Sequence, residues 1–258
     1  MEGKGYLLLP AKDEEAAIGD LVRRGIAAGM RVVVCDDGSE DGTARKARAA
    51  GALVLSHPRN LGLAEAMRTL LNWAADHLED PDWAVTMDAD GTMAPEDALL
   101  LVNHLEKAPI VIGSRFAPGG KEEGVPFFRK LLSRGASAYF RLMAGLPVKD
   151  YTSGFRAYRA GFLKAYRRRF PAWFDAPGFS AQTELLLRAG ILMKVPVVEV
   201  GLPLRYDQKE GRSKMKLLKT IKEYLRLGLL SAKWRVKHLK DAEKEAGLGK
   251  PHPAPQEE

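Results

Sequence analysis

The first 115 residues alternate two kinds of segment. Short, nearly unbroken aliphatic runs occur at YLLLP (6–10), RVVVCDD (31–37), ALVLSH (52–57), WAVTMD (83–88) and PIVIGS (109–114). Between them, 14–28, 41–50, 61–76 and 95–107 have helical composition, and Pro95 stands at the first turn of the last. A strand with one wet face alternates apolar and polar residues, whereas a continuous apolar run needs cover on both faces. The pattern therefore predicts an α/β fold with a mostly parallel sheet between helices. In such sheets ligands bind beyond the carboxyl ends of the strands.

The second half is less regular. Residues 119–124 read as a mobile loop, 128–144 as a helix, DYTSGFRAYR (150–159) as an irregular stretch and 181–189 as a helix. VPVVEVGLPLRY (195–206) is expected to be a strand with antiparallel pairing. EGRSK (210–214) is a basic loop, a long helix is predicted over 216–246, and the Pro-rich tail is expected to be disordered. This divides the chain into a catalytic domain at 1–214, a basic amphipathic helical extension at 215–246 and a tail at 247–258.

Charge sharpens that division. The chain of 258 residues carries a net charge of +7. Residues 205–250 hold fourteen lysines and arginines against six acids, so the remainder is near neutral. From 217, Leu217, Leu218, Ile221, Leu225, Leu229 and Ala232 recur near helical period, with Lys219, Lys222, Arg226, Lys233, Lys237 and Lys240 on another face. Such a helix suits an anionic membrane surface, or else packs on the domain with its lysines solvated. Nucleic acid is not expected, because only Tyr224 and Trp234 interleave the charges. One cysteine, Cys35, excludes a disulfide framework. The N-terminus does not resemble a signal peptide, and no apolar run approaches the ~20 residues that span a bilayer. The expected location is the cytoplasm, at most peripheral to the cytoplasmic face of a membrane.

Acidic residues gather at the strand ends: Asp13 and Glu14 after Pro10, Asp36 and Asp37, and Asp88 and Asp90. If the fourth strand persists, Asp88 and Asp90 face the same way, since residues i and i+2 share a face. Two adjacent carboxylates repel unless a cation lies between them. A hard divalent ion, Mg²⁺ or Mn²⁺, accounts for the pair, with substrate phosphates filling its other positions. An aspartate capping the next helix is the plainer alternative. No Gly-x-Gly-x-x-Gly and no P-loop motif is present, so a nucleotide would be held another way.

The motifs PAKDEE (10–15), DDGSEDGT (36–43), NLGLAEAMRTLL (60–71), DAD (88–90), GSRF (113–116), DYTSGFRAYR (150–159) and GRSK (211–214) stand in one order. In that order and spacing the chain resembles glycosyltransferase family 2, and within it the dolichyl-phosphate mannose synthases and related polyprenyl-phosphate glycosyltransferases. The resemblance implies a GT-A fold, a nucleotide-sugar donor, a divalent metal and an inverting transfer. It assigns the nucleotide sugar to Pro10, Asp13, Glu14, Asp37, Asp88, Ala89, Asp90 and the flap residue Lys214. The metal falls to Asp88 and Asp90, with Thr92 where mannose synthases often carry Gln. Lys12 replaces a frequent aromatic, and Gln208 replaces the flap arginine, for which Arg205 or Arg212 could substitute.

A second constellation is Arg115, Arg129 and Ser133. Arg129 and Ser133 are four residues apart on one predicted helix and share a face. Arginine forks suit phosphate, although these could be ordinary surface cations. The resemblance assigns the three to the acceptor lipid phosphate. Such a phosphate is already anionic and needs no general base. Glu184 stands where other inverting members carry a base; here it would orient a hydroxyl or an arginine, or be an exposed helix residue. Asp150 and Arg156 could pair. The expected catalytic residues are thus Asp90, Arg115 and Glu184. The implied function is transfer of a hexose, mannose from GDP-mannose favoured, to a polyprenyl or dolichyl phosphate. The alternatives are UDP-glucose or another donor with a different acceptor, or a binding protein without turnover.

Overall fold

The computed structural model describes residues 3–206 and 217–245. The strands are β1 (Gly5–Ala11), β2 (Arg31–Asp36), β3 (Leu53–Ser56), β4 (Trp83–Thr86), β5 (Ile110–Ser114), β6 (Lys121–Glu123), β7 (Arg156–Arg159), β8 (Val197–Gly201) and β9 (Pro203–Arg205). The helices are α1 (Ile18–Ala27), α2 (Thr43–Ala49), α3 (Leu63–His77), α4 (Ala98–Val102), α5 (Phe127–Ala144), α6 (Ala160–Arg169), α7 (Ser180–Leu187) and α8 (Leu217–Glu245). A 3₁₀ turn, Pro95–Asp97, precedes α4, and a π turn, Arg188–Leu192, follows α7.

Seven strands make one sheet in the order β3-β2-β1-β4-β7-β5-β8. All neighbours are parallel except β7, which runs antiparallel to β4 and β5. The continuous apolar runs have the predicted cause. Along β1, Tyr6 and Leu8 join one buried cluster while Leu7 and Leu9 join another. Along β2, Val33 and Cys35 separate from Val32 and Val34 in the same way. Helices α3, α6 and α7 supply the first cluster and α1, α2 and α4 the second, so both faces are dry.

Several expectations are corrected. β4 ends at Thr86, so Asp88 and Asp90 lie on a turn rather than on the strand. The stretch 150–159 contains β7, whose two terminal arginines hide its strand character. β8 pairs parallel with β5 rather than antiparallel, and the loop 119–124 contains β6, parallel to β9. Residues 14–17 form turns before α1, which starts at Ile18. Helix α3 likewise starts after Gly62, at φ 96°.

Helix α8 is as long as predicted, but its faces are assigned differently. Thr220, Leu227 and Ser231 are buried, and Tyr224 and Trp234 pack on a third cluster with Phe140 and Leu187. Leu218, Leu225 and Leu229 of the apolar stripe remain exposed. Tyr139 of α5 donates to the Leu225 carbonyl at 2.8 Å. The helix is therefore built into the domain that the boundary at 214 would have separated from it. Among the described residues, no helix is long and apolar enough to cross a membrane. The flap at 210–214, with Lys214, and the tail at 247–258 lie outside the described residues.

Candidate active site

Two cavities open at the carboxyl edge of the sheet. The first, of about 540 Å³, is lined by Pro10, Lys12 and Glu14 after β1, by Asp37 after β2, by residues 60–66 and by residues 175–179. The second, of about 440 Å³, is lined by Arg115, Arg129 and Ser133 together with Leu131, Leu132, Leu202, Leu204, Tyr224 and Leu225. Asp88, Asp90, Phe179 and Thr220 wall both. The two acids thus stand where the more polar of the two cavities meets the more apolar one.

Asp37 shapes the first cavity from beneath. It is buried, and its carboxylate accepts the main-chain N–H groups of Leu61 at 2.9 Å and Gly62 at 2.8 Å. His57 Nδ1 lies 2.8 Å from the same carboxylate, and its Nε2 lies 2.9 Å from the Thr69 hydroxyl. His57, which belongs to no motif, orients Asp37, which in turn holds the 61–62 strip of the cavity wall. Burial, with the Asp37 and Asp36 charges adding, pushes the neighbouring Cys35 thiol up to about 12, so it is an inert core group. Asp13 lines neither cavity. It accepts the Glu40 N–H at 2.9 Å, and Lys12 Nζ lies 3.1 Å away. Desolvation alone would raise its carboxyl, but that N–H and the Lys12 ammonium hold it low.

Asp88 and Asp90 flank the buried Ala89 in a turn completed by Gly91 at φ 79°. Thr92 is buried beside them. Its hydroxyl donates to Asp90 Oδ1 at 2.7 Å and its N–H to the same atom at 3.2 Å. The Thr92 carbonyl receives the Arg205 N–H at 2.9 Å, while the Arg205 guanidinium stands 3.8 Å from Asp97. Among the described residues, no cluster of three or more His, Cys, Asp or Glu could hold a metal ion. Two carboxylates and a hydroxyl oxygen are nevertheless a hard donor set. They fit an ion of the Mg²⁺ or Mn²⁺ kind that keeps waters and substrate phosphates as its remaining ligands.

Arg115, at the end of β5, is fixed by Asp150 rather than left as a surface cation. Its Nε and Nη2 donate to the two Asp150 oxygens, each at 2.7 Å, and Nη2 also reaches the Thr152 hydroxyl at 2.6 Å. Asp150 is fully buried, and its own N–H is held by Glu199 at 2.8 Å. Burial would raise the Asp150 carboxyl, but the Arg115 guanidinium overrides it and holds the carboxyl below the usual range. Asp150 therefore does not pair with Arg156. That arginine is buried and donates instead to the carbonyls of Gln182 and Tyr151. Arg129 lies 5.5 Å over the Tyr206 ring, and the Ser133 hydroxyl is 3.4 Å from Glu122.

Glu184 pairs with an arginine, one of the roles expected of it, and does so away from the cavities. It lines neither cavity, is buried, and spends its carboxylate on Arg188 and on the N–H groups of Asp175 and Ala176, at 2.9 and 2.6 Å. The walls also include residues that no motif announced: Phe179 before α7, and Lys219, Thr220 and Glu223 on α8.

A mostly parallel open sheet with paired acids at its carboxyl edge, where two cavities meet, is an arrangement that can hold a phosphorylated ligand beside a second one. Residues 6–167 match Glycosyl transferase family 2, and the chain belongs to that family and is a glycosyltransferase. It is 37% identical over 190 residues to an undecaprenyl-phosphate mannosyltransferase of Micrococcus luteus, spanning 71% of this chain and 75% of the relative. It is 34% identical over 196 residues to a polyprenol monophosphomannose synthase of Mycolicibacterium smegmatis, spanning 72% and 70%. The fold is GT-A. A crystal structure of glucosyl-3-phosphoglycerate synthase from Mycobacterium tuberculosis with Mn²⁺, UDP-glucose and phosphoglyceric acid superimposes with a TM-score of 0.67. It is 22% identical and covers 89% of this chain and 80% of that one.

Proposed function

We propose that this glycosyltransferase moves a hexose, mannose from GDP-mannose first among donors, onto the phosphate of a polyprenyl phosphate with inversion. The observation that carries the reading is the meeting of the two cavities at Asp88 and Asp90. A nucleoside diphosphate suits the first, where Pro10, Glu14 and Asp37 reach the wall. An isoprenoid phosphate suits the second, where aliphatic side chains surround Arg115 and Arg129. The names of the two relatives, both polyprenyl-phosphate mannosyl enzymes, support that acceptor.

In this reading Arg115, Arg129 and Ser133 hold the acceptor phosphate, and Asp150 keeps the Arg115 fork aimed. A phosphate oxygen attacks the anomeric carbon. The new C–O bond forms as the bond to the diphosphate oxygen breaks, and the nucleoside diphosphate leaves. No proton has to be removed from the nucleophile, and no histidine lines either cavity among the described residues. Asp88 and Asp90, with the Thr92 oxygen, would hold Mg²⁺ or Mn²⁺, which when bound neutralises charge on the leaving diphosphate.

The reading includes peripheral attachment to a membrane on its cytoplasmic side. Phe127 and Phe128 of α5 are 81% and 59% exposed, and Leu131 and Leu225 are exposed while also lining the acceptor cavity. Arg129, Lys130, Lys222 and Arg226 stand among them, which suits an anionic surface. Lys12, in the donor cavity where the resembled family often carries an aromatic, is the ground for a second reading in which another base, as in UDP-glucose, is bound. The test is transfer of labelled sugar from a panel of nucleotide sugars to polyprenyl phosphate with Mn²⁺ present. Formation of a lipid-linked monosaccharide from GDP-mannose is expected. Absence of lipid product with every donor would sink the reading, and product only from a uridine donor would select the second.

A further inference from the structure

One wall of the first cavity, whose last residue Phe179 also lines the second, has no regular structure of its own. It is the segment 175–179, running from Asp175 to Phe179. A loop holds a defined shape only if its main-chain polar groups are tied down. Two of them, the N–H groups of Asp175 and Ala176, donate to one oxygen of Glu184 on α7. The other oxygen of Glu184 pairs with Arg188, one turn further on. Arg188 closes the circuit, because its Nη2 also reaches Asp175 Oδ2 at 2.6 Å. Its guanidinium lies 5.2 Å from the Phe170 ring centroid and 5.8 Å from that of Trp234 on α8. Glu184 and Arg188 are both buried. A buried acid and base in this arrangement are costly unless every partner is in place, so the contacts are mutually dependent. Arg188 also opens the π turn, an irregularity that recurs at functional sites.

We propose that Glu184 and Arg188 are positioning residues that hold the wall 175–179 against the donor sugar and the reacting centre, clamped from behind by Trp234. Neither touches the ligands. They act through two main-chain N–H groups and one carboxylate of the wall. The inference rests on the reading of the first cavity as the donor site, but its structural half can be measured without any ligand.

The test uses the full chain with Glu184→Gln and Arg188→Lys. Glutamine keeps an oxygen that can accept the two N–H groups and loses the ion pair; lysine keeps the charge and loses the fork. Two readouts are taken. Hydrogen exchange by mass spectrometry is expected to quicken at 175–179 in both variants, while β1 and β4 exchange as in the parent. Donor KM is expected to rise about tenfold, the equivalent of one charge-assisted hydrogen bond, with kcat within about threefold and the pH–rate profile unmoved. A loss of about a hundredfold or more in kcat with unchanged KM, together with loss of one limb of the pH profile, would make Glu184 a general base instead. Parental exchange at 175–179 in both variants would overturn the positioning role outright. If the parent transfers no sugar from any donor, the donor-site reading fails while the exchange result still decides the wall.

Discussion

Asp150 does not line the second cavity but ties together residues that do. Its carboxylate takes both arms of Arg115 and the N–H groups of Arg115, Thr152 and Ser153. Removing one partner of a buried pair costs about 3–5 kcal/mol, because the other charge is left uncompensated. Asp150→Asn is therefore expected to lower stability by that order and to weaken acceptor affinity more than donor affinity, read by urea unfolding and by separate KM values. A pH dependence follows. The folded carboxyl lies below its unfolded value, so ionisation stabilises the fold. That stability is complete above the unfolded pKa of about 3.9 and is lost as pH falls through the lower folded value. The gap between parent and Asp150→Asn should narrow as pH drops below about 4; a gap constant with pH would contradict the pairing. The sequence placed Asp150 beside Arg156, six residues on. It could not show that β7 begins at Arg156 and carries that arginine into the core, leaving Arg115, which follows β5, as the partner.

Helix α8 poses the same problem one level up. Its period was legible, because a repeat near 3.6 residues is written in the side chains. Which face packs was not, because that depends on what α5 and α7 present. Leucines fall all around the helix, and the buried seam runs through Thr220, Leu227 and Ser231 rather than the more apolar stripe. Two substitutions separate the faces. Leu227, 4% exposed, should cost about 2–5 kcal/mol on change to Ala. Leu229, 58% exposed, should cost within about 0.5 kcal/mol in solution on the same change. On anionic vesicles the order reverses, since sedimentation should weaken for Leu229→Ala and hold for Leu227→Ala under conditions where both are folded. Equal vesicle binding by Leu229→Ala and parent would remove this face from the membrane.

At the scale of the whole molecule, the sheet was readable because dry strands on both faces leave continuous apolar runs. The strands missed, β6 and β7, are short and carry charge. The strand-end acids were readable for a related reason: polar residues abutting buried strands must face the ligand edge. The route by which Asp88 and Asp90 come together was not, since the strand stops at Thr86 and both acids reach the two cavities from the irregular segment that follows it. In the proposed reading that placement, at the seam of two cavities, makes metal and donor binding mutually dependent. Two carboxylates alone bind Mg²⁺ or Mn²⁺ weakly, and a diphosphate beside two carboxylates is repelled. Together each supplies what the other lacks, so the coupling is reciprocal. In thermal unfolding, Mn²⁺ and a nucleoside diphosphate added jointly should raise Tm by more than the sum of their separate shifts. The excess should vanish with EDTA and with Asp90→Ala. It should shrink but persist with Thr92→Val, which removes the hydroxyl that fixes Asp90 and leaves the carboxylate in place. Strictly additive shifts in the parent would show that donor and metal bind independently, and the seam would then need another explanation for its two acids.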